Sequence, residues 1–93
     1  MSGRCEAVLA EMGLKLPEAP KPVAAYIPWR RTGNLVFVSG QIPMREGQLV
    51  AKGSVPGQVS VEQAQEAARQ CVLNALAVIK SAAGSLEAVR QVV

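Results

Sequence analysis

Histidine is missing from all 93 residues. Its absence removes the side chain most often used as an acid–base group near neutral pH, and the commonest metal ligand. A serine nucleophile activated by histidine is excluded with it, and so is histidine-driven cleavage of RNA. Aromatic residues are almost as scarce, with one Trp, one Tyr and one Phe. No row of rings is available on which bases could stack. A net charge of +3, scattered without a block of like charges, adds little to a case for nucleic-acid binding. Cys5 and Cys71 lie far apart and form no CxxC pair, so neither a metal site nor a redox pair is expected. No apolar stretch is long enough to span a bilayer and no leader pattern precedes the first helix. Two free thiols suit a reducing compartment, and the expectation is a soluble cytoplasmic protein.

What is present is a Val-, Ala- and Leu-rich chain, 49% hydrophobic. At this length one domain is expected, burying about 60–65% of its unfolded surface, so its core is marginal. The organising stretch is Leu35-Val36-Phe37-Val38-Ser39-Gly40-Gln41-Ile42-Pro43. Its first four residues are apolar, β-branched or aromatic, and alternate sides hold Leu35 with Phe37 and Val36 with Val38. Such a run predicts a strand dry on both faces. It ends in a hydroxyl followed by a glycine, which allows a close approach, and Pro43 closes the ladder.

Cys5, Val8, Leu9 and Met12 recur at helical spacing, predicting a short helix over about residues 4–12 that stops at Gly13. Pro17, Pro20 and Pro22 hold residues 14–22 as an extended strap. This divides the chain into an N-terminal helix and strap, 1–22, and a domain, 23–93. Val23–Arg31 reads as an edge strand because it contains Pro28, and the turn Thr32-Gly33-Asn34 pairs it with Leu35–Gln41. Arg45-Glu46-Gly47-Gln48 is a turn, Leu49-Val50-Ala51 a third strand, and Lys52–Val59 a loop. Ser60 with Gln63 has capping-box spacing and opens one long helix, which Gly84 ends. Ala64, Ala67, Ala68, Cys71, Ala75, Val78, Ile79 and Ala82 form its predicted buried stripe. After a turn at Ser85–Glu87, Val89–Val93 reads as the start of another strand. The fold class is α+β, a sheet of three or four strands packed on one long helix. One helix covers one sheet face, so the other face of the Leu35–Val38 run predicts an interface and an oligomer.

Candidate residues are few. Ser39 is either a hydroxyl tying down a strand end or a hydrogen-bond donor to a ligand, and the pattern leaves both open. Tyr26 reads as a core or rim tyrosine, Cys71 as a structural thiol, and Asn74 as an amide bonded to a neighbouring loop. Arg30 and Arg31 beside Trp29 suit an anion or a solvated hairpin tip. The Gly53–Gly57 loop lacks the GK[ST] ending of a phosphate loop.

Tyr26, the string Ser39-Gly40-Gln41-Ile42-Pro43 after a V-F-V strand, Gln63-Ala64, Asn74 and Ala82-Ala83-Gly84-Ser85-Leu86 together resemble the Rid family. These are the YjgF-type reactive-intermediate deaminases, also labelled endoribonuclease L-PSP. Tyr26 stands before Ser39 at the family's tyrosine–serine spacing, and the N-terminal helix and strap resemble a longer subgroup. The resemblance implies a chorismate-mutase-like fold assembled as a homotrimer, with ligand clefts between subunits. It implies hydrolysis of small imines or enamines to 2-oxo acids and ammonia, without metal or cofactor. Tyr26 would line the cleft, and Ser39 with the Gly40 backbone N–H would orient the substrate. The resemblance covers the first two-thirds of a family domain. The family's substrate-carboxylate arginine and its water-activating glutamate would follow Val93, so the chain is expected to be a piece of a longer protein and no catalytic residue is assigned. Arg30, Arg31, Arg69 and Arg90 do not occupy that arginine's position. A non-catalytic metabolite-binding or interaction module on the same scaffold is the second reading, and an endoribonuclease the third.

Overall fold

The long helix is the element on which everything else rests. In the computed structural model, which describes residues 3–19 and 27–93, the order is α1 (Arg4–Glu11), β1 (Trp29–Thr32), β2 (Leu35–Val38), β3 (Met44–Arg45), β4 (Gln48–Leu49) and α2 (Val61–Ala83). A single 3-10 turn, Leu86–Ala88, follows α2. The capping box forms as its spacing predicts: Gln63 N donates to Ser60 Oγ at 3.1 Å and Ser60 N donates to Gln63 Oε1 at 2.9 Å. Such a cap contributes about 1 kcal/mol. At the other end Gly84 takes the left-handed conformation, φ 86°, and its N–H closes on the Lys80 carbonyl.

β1 and β2 form an antiparallel hairpin with Trp29 opposite Val38 and Thr32 opposite Leu35. Gly33 opens the two-residue turn with φ 57°, a conformation glycine adopts without steric cost. β3 and β4 form a second, separate hairpin, with Met44 opposite Leu49. Helix α2 packs across β1, β2 and β3, and α1 rests on the 3-10 turn. The small core comprises Val59, Leu73, Ala77, Val78 and Leu86, joined by the buried amides Gln70 and Asn74.

Several expectations change. The sheet is not one sheet of three or four strands: among the described residues it is two hairpins, because the intervening segment gives its carbonyls to α2 rather than to a ladder. The third strand lies at Gln48–Leu49, one residue earlier than Leu49–Ala51, and pairs with Met44–Arg45. β2 stops at Val38 rather than Gln41. Of the expected strand Val23–Arg31, residues 23–26 lie outside the described residues and the ladder starts at Trp29. Residues 89–93 form no strand, since no described segment lies alongside to pair with them. Helix α1, by contrast, matches its prediction to within a residue, and residues 14–19 of the strap have no regular structure.

The stripe on α2 is also rotated. Its fully buried residues are Gln70, Leu73, Asn74, Ala77 and Val78, spaced i, i+3, i+4, i+7, i+8. Only Val78 belongs to the Ala-rich stripe; Ala68 is exposed. Turning Leu73 inward buries more apolar area than another alanine would, and the two amides come with it because they find partners. The expectation that β2 is dry on both faces holds on one side only. Val36 and Val38 are half-buried on the side facing α2, whereas Leu35 and Phe37 are 52% and 60% exposed.

The alternation makes Val38→Asp a test of which side of β2 forms the core. Placing a carboxylate there is expected to cost about 2–3 kcal/mol of folding stability, read as a lower urea midpoint at constant slope. An unchanged midpoint would put Val38 on the solvent side.

Candidate functional site

The site is the segment Ser39–Met44, which leaves the end of β2 and runs across the middle of α2. Its ends are pinned by backbone contacts. Ser39 N donates to the Pro28 carbonyl at 3.0 Å, Met44 N to Ile42 O at 2.8 Å, and Val50 N to Pro43 O at 2.8 Å. Pro43 has no N–H to offer a ladder, and the carbonyls on either side of it take donors from α2. Asn74 supplies them. Its Nδ2 donates to Ile42 O at 3.1 Å and to Met44 O at 2.9 Å, while its Oδ1 accepts from Gln70 Nε2 at 3.0 Å. Both amide hydrogens and the amide oxygen are thus used in a side chain that is 1% exposed. One turn earlier, the Cys71 thiol donates to Gln41 O at 3.6 Å. Burial pushes the Cys71 thiol up from its ordinary pKa, which keeps it protonated and able to donate.

Ser39 is half-buried, and its hydroxyl donates to the carbonyl of Ile27. The hydroxyl proton is therefore committed within the chain, and what Oγ presents outward is its remaining acceptor capacity. Gln41 Nε2 bonds back to Ser39 O at 3.0 Å. Gly40 is exposed, and a Cβ built on it would meet nothing within 4 Å, so the space before it is open. Its φ is not in the left-handed region, and the glycine is not demanded by the local backbone. Among the described residues nothing accepts its N–H. Tyr26 lies outside the described residues; Ile27, its sequence neighbour, is the residue to which Ser39 is bonded.

Two of the three expected binding residues thus sit together at the strand end, and Asn74 makes the loop contact expected of it, though it is wholly rather than partly buried. Gln70 was not singled out from the sequence. The signal was present, since it stands four residues before Asn74 on the same helical face. Nothing ionisable belongs to Ser39–Met44. The nearest charged cluster in sequence is Arg45, which bonds Glu66 at 3.0 Å, and Arg69, which bonds the same carboxylate at 3.3 Å. These are half-exposed ion pairs, each worth about 0.2–1 kcal/mol. Arg31 is occupied at the hairpin tip, where Nε donates to Gly33 O at 3.0 Å. Among the described residues no three His, Cys, Asp or Glu side chains come together as metal ligands, and no helix is long and apolar enough to cross a membrane.

Residues 6–93 match the family described as "YjgF/chorismate_mutase-like, putative endoribonuclease", and the chain belongs to that family. It is 35% identical over 92 residues to "Protein TCP17" of Trypanosoma cruzi, covering 99% of this chain and 58% of that protein. Its fold is similar to the crystal structure of Atu1372 from Agrobacterium tumefaciens, a protein described as of unknown function. The TM-score there is 0.84 at 43% identity, over 95% of this chain and 54% of the other. It is also similar to the crystal structure of a protein described as a putative endoribonuclease from Shewanella oneidensis, with a TM-score of 0.87 at 33% identity, over 94% and 58% of the two chains. The chain therefore spans rather more than half the length of these relatives.

Removing the Asn74 amide leaves the Met44 carbonyl and the Gln70 amide without the partner they have here, while the Ile42 carbonyl keeps only the Met44 N–H. Asn74→Ala is expected to cost about 2–4 kcal/mol in chemical denaturation, a figure that combines lost hydrogen bonds with buried unpaired groups. A loss under about 0.5 kcal/mol would mean that water replaces the amide freely.

Proposed function

We propose that this chain supplies the Ser39–Gly40 half of a cleft that binds small imines, enamines or 2-oxo acids, and that the assembled protein hydrolyses the imine to a 2-oxo acid and ammonia. The observation that carries this reading is the pairing at the end of β2 of a Gly40 N–H that meets no acceptor among the described residues with a Ser39 hydroxyl whose own proton is already used. A backbone N–H is a donor suited to a carboxylate or carbonyl oxygen. The Ser39 oxygen is an acceptor suited to an imine N–H or to the O–H of a water. Donor and acceptor side by side are what a planar imino acid requires for orientation.

In the reaction, water adds to the C=N carbon as nitrogen takes a proton. The resulting carbinolamine then expels ammonia as its hydroxyl proton leaves, and C=O forms. An enamine reaches the same route after protonation at carbon. Within Ser39–Met44 no side chain ionises, so this part of the cleft binds and orients, and proton movement falls to water or to groups outside this segment. That same observation favours the second reading, a metabolite-binding module without turnover. Tyr26 is assigned to the cleft wall as in the family, and cleavage of RNA lacks a histidine base in this chain.

The cleft lies between copies in this proposal. Leu35 and Phe37 present an apolar face without cover from the described residues, and a homotrimer that shields this face places Ser39 at the subunit boundary.

A deamination assay on an enzymatically generated imine, paired with calorimetry of 2-oxo-acid binding, tests both readings. Turnover above the uncatalysed rate supports hydrolysis, binding without turnover supports the module, and neither removes the cleft. Ser39→Ala is expected to weaken binding by about 1 kcal/mol, the usual worth of one neutral hydrogen bond. An unchanged affinity takes Ser39 out of the site. Phe37→Asp is expected to shift the sedimenting species from trimer to monomer while far-ultraviolet circular dichroism stays as in the parent; a trimer that survives it places the interface elsewhere.

A further inference from the structure

Helix α1 has no side-chain cap from its own N-terminal turn among the described residues. The residue before its first turn is Gly3, which has no side chain to accept from the opening N–H groups. The acceptor comes from the far side of α2. A carboxylate oxygen of Glu87, in the 3-10 turn and 82 residues away, takes the Cys5 backbone N–H. Gly3 leaves room for this contact, since a Cβ there would overlap the Glu87 side chain. A second charged contact lies one step along: Lys80 Nζ bonds Glu6 Oε1 at 2.8 Å. Both carboxylates sit at the first turn of α1, and Lys80 sits in the last turn of α2, each where the helix dipole favours it.

Against these polar contacts the apolar attachment is slight. No residue of α1 is buried, and Val8 and Met12 are exposed. An eight-residue helix cannot hold its shape alone in water, because nucleation costs more than two turns return. The helix exists because of where it docks.

We propose that α1 is a reversibly docked arm that folds and attaches in one step, capped by Glu87 and braced by the Glu6–Lys80 pair, so that acid acting on Glu87, or salt, releases and melts it while α2 stays folded. The charged and titratable groups facing Glu87 are Arg4 and the Cys5 thiol, both on α1, while Glu6 is engaged by Lys80 from α2. When docked, the Cys5 N–H and then its thiol hold the Glu87 carboxyl below its ordinary pKa, with Arg4 adding to the same direction. A lowered carboxyl stabilises the docked state at any pH above the ordinary carboxylate range. That contribution is lost as pH falls through the lowered value. The same carboxylate pushes the Cys5 thiol up. Salt acts at neutral pH chiefly by screening the exposed Glu87 contact, and less on the part-buried Glu6–Lys80 pair.

Amide hydrogen exchange on the full chain, expressed as protection relative to the unstructured rate, tests the proposal. In Glu87→Ala the amides of residues 4–11 are expected to lose roughly three- to tenfold of their protection, the worth of one N-cap, with residues 70–78 unchanged. Unchanged protection in 4–11 overturns the proposal. If that variant also loses protection in 70–78, titration of the parent protein decides. Protection of 4–11 that falls ahead of 70–78, both on acidification below the carboxylate range and on raising salt at neutral pH, supports the arm. Loss in both segments together overturns it. Glu87→Gln keeps an acceptor without a charge, and in it the acid step of 4–11 is expected to flatten; a step that persists unchanged overturns the role of Glu87.

Discussion

One side-chain amide carries the architecture around the strand end. The chain must leave β2, pass a proline and begin a second hairpin, and over that passage its carbonyls have no ladder to join. A buried carbonyl without a donor costs on the order of 1–3 kcal/mol, so the passage could not lie against the helix unaided. Asn74 removes that cost at Met44 and gives Ile42 a second donor, Gln70 takes its remaining oxygen, and the Cys71 thiol serves Gln41. The consequence reaches the surface. With Gln41 to Met44 held from below, Ser39 and Gly40 form a ledge at the strand end, where the Ser39 hydroxyl donates to Ile27 and the Gly40 N–H meets no acceptor among the described residues.

That ledge borders an apolar surface. The two sides of β2 differ sharply: Val36 and Val38 meet α2, while Leu35 and Phe37 do not meet any described residue closely enough to leave water. Fold and family agree with relatives almost twice as long, of which this chain spans between 54% and 58%. The proposed function gives the exposed face a partner in a neighbouring copy. In that proposal the binding residues and the assembly surface come from the same strand, one from its end and the other from its exposed side.

The N-terminal arm obeys a different logic. Where the domain is joined through buried amides and apolar contacts, α1 is joined through carboxylates and a lysine that water and salt can reach. Contacts of that kind are weak and condition-dependent. A fold can hold one part rigidly and another conditionally when the two are built from interactions of different range.

Much of this was legible in the residues. Helix α1, the long helix with its Ser60–Gln63 box and Gly84 cap, the β1–β2 hairpin and the family all follow from local patterns, because caps, turns and periodicity act over a few positions. Ser39 with Gly40 was visible as a polar pair ending an apolar run. What local pattern could not deliver was the rotation of α2. An alanine stripe suggested one face, yet the helix turns Leu73, Gln70 and Asn74 inward, because a polar group may be buried once a partner is in reach, and the partners come from residues thirty positions away. The split into two hairpins has the same origin, since whether Ile42 and Met44 give their carbonyls to a strand or to an amide is settled only when the helix lies beside them. The cap that Gly3 lacks is supplied from Glu87 for an equally non-local reason. The amino-acid order by itself determined the two helices, the first hairpin and the family; the tertiary structure alone decided which faces meet, because pairing of buried polar groups depends on distance in space and not along the chain.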